Sequence, residues 1–278
     1  MLFDGKKCAQ TIKADLLVQV AALGFSPRVA LIYAGEHPAI NTFVGVKERF
    51  AHDIGVELVV YRYPPTISQE ELEKEIQMLI GNDLRASDGR AYDAIIVQLP
   101  LPAHIDADKI LSLIPAEKDI DVLSKESLAL FKKGESAFLP PVAAAIGEIF
   151  KTAGIDFKGK KIVVVGNGRL VGQPVALWLS RSGADYSITV LGDPSRDEML
   201  READIVISGA GDPEFIEPYM IKDGAVLIDC GASELHGKTV GDISPACYDK
   251  ASLATPVPGG IGPIVVAMVF RNLIAKSA

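Results

Sequence analysis

Cysteine is scarce: Cys8, Cys230 and Cys247 are three among 278 residues, widely spread, with no CxxC or Cys/His cluster. This distribution suggests neither a disulfide framework nor a zinc site, so the thiols are expected to be plain buried side chains and no metal is expected. Although 49% of the residues are hydrophobic, none of the apolar runs reaches the roughly 18 to 20 residues that a membrane span needs. Met1 to Lys7 lacks the charged-then-apolar order of a signal peptide, and a cytoplasmic chain is expected. An excess of positive charge is missing too. The formal net charge of -8 speaks against the basic footprint of bulk nucleic-acid binding, so neither nucleic acid nor membrane is expected as a partner. An anionic substrate must then meet a local basic patch, because the overall field repels it. No internal repeat or low-complexity tract is visible.

What is present is an alternation of short β-branched runs with helical periodicity, the pattern of parallel sheets with crossover helices. Strands are predicted at Arg28 to Tyr33, Val56 to Tyr61 and Asp93 to Gln98, with helices at about Pro38 to Ile54 and Glu70 to Gly81. Further strands are predicted at Lys161 to Val165, Ser187 to Leu191, Ile205 to Ser208 and Ala225 to Asp229. A helix over Val142 to Ala153 follows Pro140-Pro141, a pair suited to a helix start. The last helix, Ile264 to Ala275, is entered through the glycine- and proline-rich stretch Pro256 to Pro263. The expected class is α/β with two lobes, 278 residues being comfortable for two cores. Residues 1 to 140, with 263 to 278 returning as the last helix, are expected to form one lobe, and residues 141 to 262 a second lobe of Rossmann type.

The clearest local signal is the run Lys161 to Val165, then Gly166-Asn167-Gly168-Arg169-Leu170-Val171-Gly172, then a helical stretch from Pro174 to Ser180. Strand, glycine turn and helix stand in the order of a dinucleotide site. The glycines permit a tight turn and let backbone N–H groups approach a pyrophosphate, whose charge the helix N-terminus favours. The spacing is GxGxxxG, one residue longer than the common fingerprint, and an ordinary strand-to-helix turn is the other reading. Asp193 lies just past the second strand of this unit, where NAD sites place an acidic residue about 20 positions after the turn to accept the ribose hydroxyls. It is equally read as a turn residue in Gly192-Asp193-Pro194-Ser195.

In the first lobe, Lys47 falls on the apolar stripe of Phe43, Phe50 and Ile54 at helical spacing. Partial desolvation there favours the neutral amine, giving a lysine that exchanges protons near neutrality. A lysine snorkelling from the edge of the stripe fits the same pattern. The strand Ala94 to Val97 ends in Gln98, at the carboxyl edge where open α/β sheets bind ligands. Gln98 either orients Lys47 or is a solvated strand end. Lys118-Asp119-Ile120-Asp121 adds two carboxylates that usually would be surface charge.

Five segments taken in order, Phe43-x-x-x-Lys47, Val97-Gln98-Leu99-Pro100-Leu101-Pro102, Lys118-Asp119-Ile120-Asp121, the turn ending Val171-Gly172-Gln173-Pro174, and Thr255-Pro256-Val257-Pro258-Gly259-Gly260-Ile261-Gly262-Pro263, resemble the bifunctional methylenetetrahydrofolate dehydrogenase/methenyltetrahydrofolate cyclohydrolase family. The resemblance covers essentially the whole chain. It implies a homodimer with folate in a cleft between the lobes, oxidation of 5,10-methylenetetrahydrofolate with NAD or NADP, and hydrolysis of the methenyl product to 10-formyltetrahydrofolate. By position it implies that Lys47 is the catalytic lysine, that Gln98 holds it and that Asp121 hydrogen-bonds the pterin. Phe43, Val97, Leu99 and Pro258, Gly259, Gly260, Ile261 and Gly262 would contact the substrate. Gly166, Asn167, Gly168, Arg169, Val171, Gly172, Asp193 and Ala232 would contact the cofactor.

Some positions depart from the family. Phe43 stands where tyrosine is usual, so the aromatic face is kept and the hydroxyl beside the lysine is lost. Val122 replaces the glycine after the second aspartate, Pro141-Val142-Ala143 replaces a Cys-Thr-Pro run, and Val265 replaces a threonine. Asn167-Gly168 replaces an Arg-Ser type pair, and Asp193 would repel the 2′-phosphate of NADP. NAD is therefore expected over NADP, and the hydrolytic activity is expected to be weak. Two rivals stand beside this reading: a shikimate-type dehydrogenase, which would share the glycine turn, and a catalytically silent folate- or dinucleotide-binding paralogue.

Overall fold

The computed structural model describes residues 1–36, 38–81 and 91–277. The chain divides into two compact units, one of residues Thr11–Leu139 with Val269–Ala278, the other of Met1–Gln10 with Pro140–Met268.

The first helix, α1 (Gly5–Ala22), contributes residues to both units. The first unit continues with β1 (Arg28–Ala34), α2 (Pro38–Asp53), β2 (Glu57–Tyr63), α3 (Gln69–Ile80), β3 (Ala94–Val97), α4 (Ala107–Ser112) and α5 (Lys125–Lys133). Its three strands are parallel in the order β2-β1-β3, with Ala30 opposite both Val59 and Ile95. Every residue of β1 is buried, as expected of a central parallel strand covered on both faces. Ala30, Ile32, Ile95 and Val97 pack with Leu72, Ile76 and Leu79 of α3 in one core. Helix α3 starts on a full capping box, in which Ser68 Oγ accepts from the Glu71 N–H and Glu71 accepts from the Ser68 N–H.

The second unit carries α6 (Pro141–Ala153), β4 (Ile162–Val165), α7 (Gly172–Arg181), β5 (Tyr186–Thr189), α8 (Arg196–Glu202), β6 (Ile205–Ser208), β7 (Val226–Asp229), β8 (Ser233–Leu235), β9 (Lys238–Val240) and β10 (Leu253–Ala254). The parallel sheet runs β10-β7-β6-β4-β5, a doubly wound order in which β4 and β6 are neighbours and the chain reverses direction across the sheet. Strands β8 and β9 form a separate antiparallel hairpin whose two loop residues, His236 and Gly237, both have positive φ, as a primed hairpin turn requires. Met1–Gln10 joins this unit because Phe3 N–H donates to Ala254 O and Ala254 N–H donates to Met1 O, setting the N-terminal residues beside β10. Helix α9 (Ile261–Ser277) begins in this unit and its residues from Val269 onward group with the first.

The two-unit α/β architecture with a returning last helix agrees with the sequence expectation, and most boundaries move by one or two residues. The last helix, expected at Ile264 to Ala275, spans Ile261–Ser277, and β5, placed at Ser187 to Leu191 from its β-branched run, is found at Tyr186–Thr189, with Val190 and Leu191 about half exposed beyond it. Helices α1, α4, α5 and α8 and the β8-β9 hairpin have no counterpart in that expectation. The Glu70 to Gly81 helix ends at Ile80, and Gly81 caps it by donating its N–H to Gln77 O.

Candidate active site

In the first unit, Lys47 stands on α2 with its side chain 12% exposed. Its Nζ lies 3.3 Å from Gln98 Oε1 and 3.4 Å from Asp121 Oδ2. Gln98 is the first residue after β3, and its backbone N–H still donates to Ile32 O at 2.9 Å. Its Nε2 donates to Leu99 O at 2.9 Å, which spends the amide's donor on the backbone and leaves its oxygen facing the ammonium. The polar strand end and the apolar-face lysine thus meet.

Asp121 is held just as closely, by its neighbours. The Lys118 carbonyl accepts from Ile95 N–H, tying the loop to β3. Asp119 is buried at 4% exposure, and its carboxylate accepts from the N–H groups of Leu123 and Ser124. Asn272 Nδ2 donates to Ile120 O. The two aspartates therefore divide the work: Asp119 knits the loop from inside and Asp121 meets the lysine. Neither is the plain surface charge that their loop position suggests. Val122, next to Asp121, has φ +56 and is 1% exposed, a conformation at which the family's usual glycine costs nothing and a β-branched residue is strained.

The stripe expected on α2 is only partly realised. Ile54 is buried and Phe50 stacks on Phe270 with ring centroids 5.4 Å apart, but Phe43 is 40% exposed and the helix buries Val44 and Ala51 instead. Phe43 is one turn before Lys47, and its side chain is partly open to solvent. Val97 is packed in the core and Leu99 lies partly buried against it. The peptide bonds Leu99-Pro100 and Val257-Pro258 are both cis.

In the second unit the glycine turn is built as its spacing demands. Gly166 has φ +97, and a Cβ there would come within 2.7 Å of Gly209 O. A Cβ on Gly172 would lie 2.0 Å from Gly166 O, so the first turn of α7 can close on the end of β4 only through glycine. Around Gly168 there is open space, while Asn167 is exposed and Arg169 half-buried. Open space at Gly168, just before the N-terminus of a ten-residue helix, is compatible with the approach of an anionic group to the turn. Thr189, at the end of β5, joins the turn to Asp193: its carbonyl accepts from Gly166 N–H and its hydroxyl donates to Asp193 Oδ2. Asp193 also accepts from the N–H and hydroxyl of Ser195, which realises the turn reading of that residue. These hydrogen bonds, those from Ser195 foremost, hold its carboxyl below the usual range.

Pro258 to Gly260 lead into α9, whose first residues are Ile261 and Gly262, with Gly259 at φ +104 and Gly260 N–H donating to Pro256 O. Ala232 is exposed just before the hairpin. Two residues with no part in the sequence expectation stand out here, Asp229 at the end of β7 and Asp242 after β9, buried at 1% and 0% exposure. The signal that could have found Asp229 is the one that flags Gln98: a polar residue closing an apolar strand. Cys8 and Cys247 are buried as expected, whereas Cys230 is only partly so; desolvation pushes the Cys247 thiol up to about 11 and the Cys230 thiol well above its ordinary value, which disfavours the thiolate at both. Among the described residues, no group of three or more His, Cys, Asp or Glu could hold a metal ion, and no helix is long and apolar enough to cross a membrane.

Fold and sites together define a two-unit α/β protein of the dehydrogenase type, with a dinucleotide turn in one unit and a lysine–carboxylate centre in the other. Residues 3–121 match the family model of the tetrahydrofolate dehydrogenase/cyclohydrolase catalytic domain, and residues 140–278 that of its NAD(P)-binding domain. The chain therefore belongs to the tetrahydrofolate dehydrogenase/cyclohydrolase family. It is 38% identical over 280 residues to the bifunctional protein FolD of Moorella thermoacetica, covering 98% of this chain and 97% of that one. The solved FolD methylenetetrahydrofolate dehydrogenase/cyclohydrolase of Campylobacter jejuni is 33% identical with a TM-score of 0.92, covering 100% of this chain and 98% of that chain. The Trypanosoma brucei enzyme, solved with NADP and an inhibitor, is 32% identical with a TM-score of 0.90, covering 100% and 97%. Matches over both units displace the shikimate-type reading, which rested on the glycine turn alone.

Proposed function

We propose that this chain oxidises 5,10-methylenetetrahydrofolate to 5,10-methenyltetrahydrofolate with a nicotinamide dinucleotide, and hydrolyses the product to 10-formyltetrahydrofolate. The observation that carries the proposal is the Lys47 ammonium held between Gln98 and Asp121 at the carboxyl edge of β3. The dinucleotide, when bound, accepts the hydride that leaves the one-carbon bridge. Gly166 to Gly172 and the start of α7 would hold its pyrophosphate, with Asp193 and Ala232 beside it. The hydride step asks of the protein chiefly alignment, which Phe43 supplies through its ring face and Asp121 through a hydrogen bond to the pterin. Leu99 and Pro258 to Gly262 take the substrate contacts that the family resemblance implies, and Val97, whose side chain is packed in the core, would contribute through its backbone only.

The second step asks for proton transfer. Water attacks the methenyl carbon, and Lys47, once it stands as the neutral amine, takes the proton that the water loses and returns it to the nitrogen that departs as the ring opens. Gln98 limits where the amine can point, because its own orientation is set by Leu99 O. One lysine therefore matters more to hydrolysis than to hydride loss.

NAD is the preferred cofactor in this reading. The Asp193 carboxyl is held in its ionised form, and a negative charge at the end of β5 repels a 2′-phosphate. The experiment is to incubate the enzyme with methylenetetrahydrofolate and NAD or NADP in turn, following reduced nicotinamide and methenyl absorbance separately. Comparable kcat/KM values for the two cofactors would sink the NAD preference; no reduction with either would sink the dehydrogenase assignment and leave a silent binder. A homodimer comes with the family resemblance, and a monomer mass in sedimentation equilibrium would overturn it; a cytoplasmic location is the expectation drawn from composition and the N-terminal residues.

A further inference from the structure

Behind the glycine turn lies a buried carboxylate that the proposed reaction does not use. Asp242 accepts from Ser208 Oγ at 2.7 Å and from three successive backbone N–H groups, those of Ala210 at 2.7 Å, Gly211 at 3.1 Å and Asp212 at 3.1 Å. Consecutive N–H groups turned onto one anion form a nest, and Gly211 at φ +73 supplies the left-handed residue that such a nest needs. The side chain thus occupies the anion site that the end of β6 would otherwise present. Asp242 is itself placed from β7: Asp229 accepts from the N–H groups of Asp242 and Ile243, and from that of Gly231.

The loop that Asp242 holds is the back wall of the glycine turn. Gly209 N–H donates to Val165 O at 2.9 Å, the last residue of β4. A Cβ on Gly166 would meet Gly209 O at 2.7 Å, and a Cβ on Gly209 would meet Val171 Cγ1 at 2.4 Å. Both surfaces are in contact with no room for a methyl group between them. A shift of the Gly209 to Asp212 loop is therefore passed directly to Gly166 and Val171, at the two ends of the turn.

We propose that Asp242 is a positioning residue for the dinucleotide: by filling the nest at the end of β6 it fixes the wall against which the pyrophosphate-binding turn is set. The inference rests on the reading of this unit as the cofactor site. A carboxylate that served stability alone would, when altered, depress every activity together. One that positions the turn selectively weakens dinucleotide binding and spares methenyltetrahydrofolate hydrolysis, which consumes none.

The test is Asp242→Asn in the full-length chain, which keeps the shape and turns one acceptor into a donor facing backbone N–H groups. NADH binding by fluorescence titration, KM for NAD and NADP, methenyltetrahydrofolate hydrolysis and the thermal midpoint are measured side by side. The dissociation constant for NADH and the KM of the preferred cofactor should rise by about tenfold or more, the effect of losing a charge-assisted hydrogen bond, with hydrolysis within about twofold of the parent. Unchanged NADH binding, or an equal fall in binding and hydrolysis, overturns the proposal. Should the asparagine chain show no cooperative melting, Ser208→Ala replaces it. That change removes one donor and leaves the nest filled; NADH binding should weaken by about threefold with hydrolysis unchanged, and unchanged binding overturns the proposal. If the parent binds NADH but reduces neither cofactor, the proposed reaction fails while the titrations still decide the role of Asp242.

Discussion

Lys47 and Asp121 are 74 positions apart in the chain and 3.4 Å apart in space, with side chains only 12% and 16% exposed. An ion pair so shielded from water is stronger than the surface pairs of this chain, and it ties the amine to the Lys118–Asp121 loop. Lys47→Met should lower methenyltetrahydrofolate hydrolysis by about 10²- to 10⁴-fold, the range for loss of a general acid-base group. NADH binding should not change. A variant that hydrolyses within about tenfold of the parent rate would refute the assignment of Lys47.

Phe43 lies one helical turn before Lys47 and is 40% exposed, so a hydroxyl added to its ring meets no packed core. Phe43→Tyr is expected to raise hydrolysis of methenyltetrahydrofolate by about fivefold, what one hydrogen bond of about 1 kcal/mol provides, with kcat for hydride transfer changed less. Stopped-flow loss of methenyl absorbance reads the first directly. No change in that rate would show that the missing hydroxyl at Phe43 does not limit hydrolysis.

Val122 combines φ +56 with near-complete burial. Its left-handed backbone costs roughly 1–2 kcal/mol for a residue with a Cβ and nothing for glycine. Val122→Ala removes buried methyls and keeps that strain; Val122→Gly removes both. The glycine variant should therefore be more stable than the alanine variant by about 1 kcal/mol in urea unfolding, the reverse of the usual order. An alanine variant that is the more stable of the two would show the backbone to be unstrained.

Asp229 is 1% exposed, and desolvation, with a smaller contribution from the Asp242 charge, raises its pKa from 3.8 to about 6 against the pull of three backbone hydrogen bonds. The folded state thus holds this proton more tightly than the unfolded chain does. Its stability contribution is complete below pH 3.8 and is lost as pH rises through about 6, a change of about 3 kcal/mol. Asp229→Asn carries no such proton. Its stability deficit against the parent should therefore shrink between pH 4 and pH 7, seen as converging thermal midpoints; a deficit that is constant or widens would show that Asp229 titrates normally.

Much of the fold is legible locally. The β1 and β4 runs are continuous apolar segments bounded by turn residues, and β6 is placed to the residue, because a central parallel strand is buried on both faces. The strand β5 is misplaced because it is an edge strand whose Ile188 is 39% exposed, and its β-branched character runs on into Val190. Helices α4 and α8 have six and seven residues, too short for a periodicity to declare itself. At the sites, Lys47 and Gln98 were each readable as odd residues in regular elements. Asp121 was not distinguishable from Asp119, since two carboxylates two positions apart in a loop carry no pattern that says which turns inward.

The sequence by itself determined the class, the order of the elements and the glycine turn at Gly166 to Gly172, because these rest on local sterics: a turn that closes on a strand end admits no Cβ whatever surrounds it. Only the tertiary structure decided that Lys47, Gln98 and Asp121 form one centre and that Asp242 fills the nest behind the turn. Those are contacts between residues distant in the chain or between side chain and backbone, and their partners are set by strand order and register, which no single segment encodes.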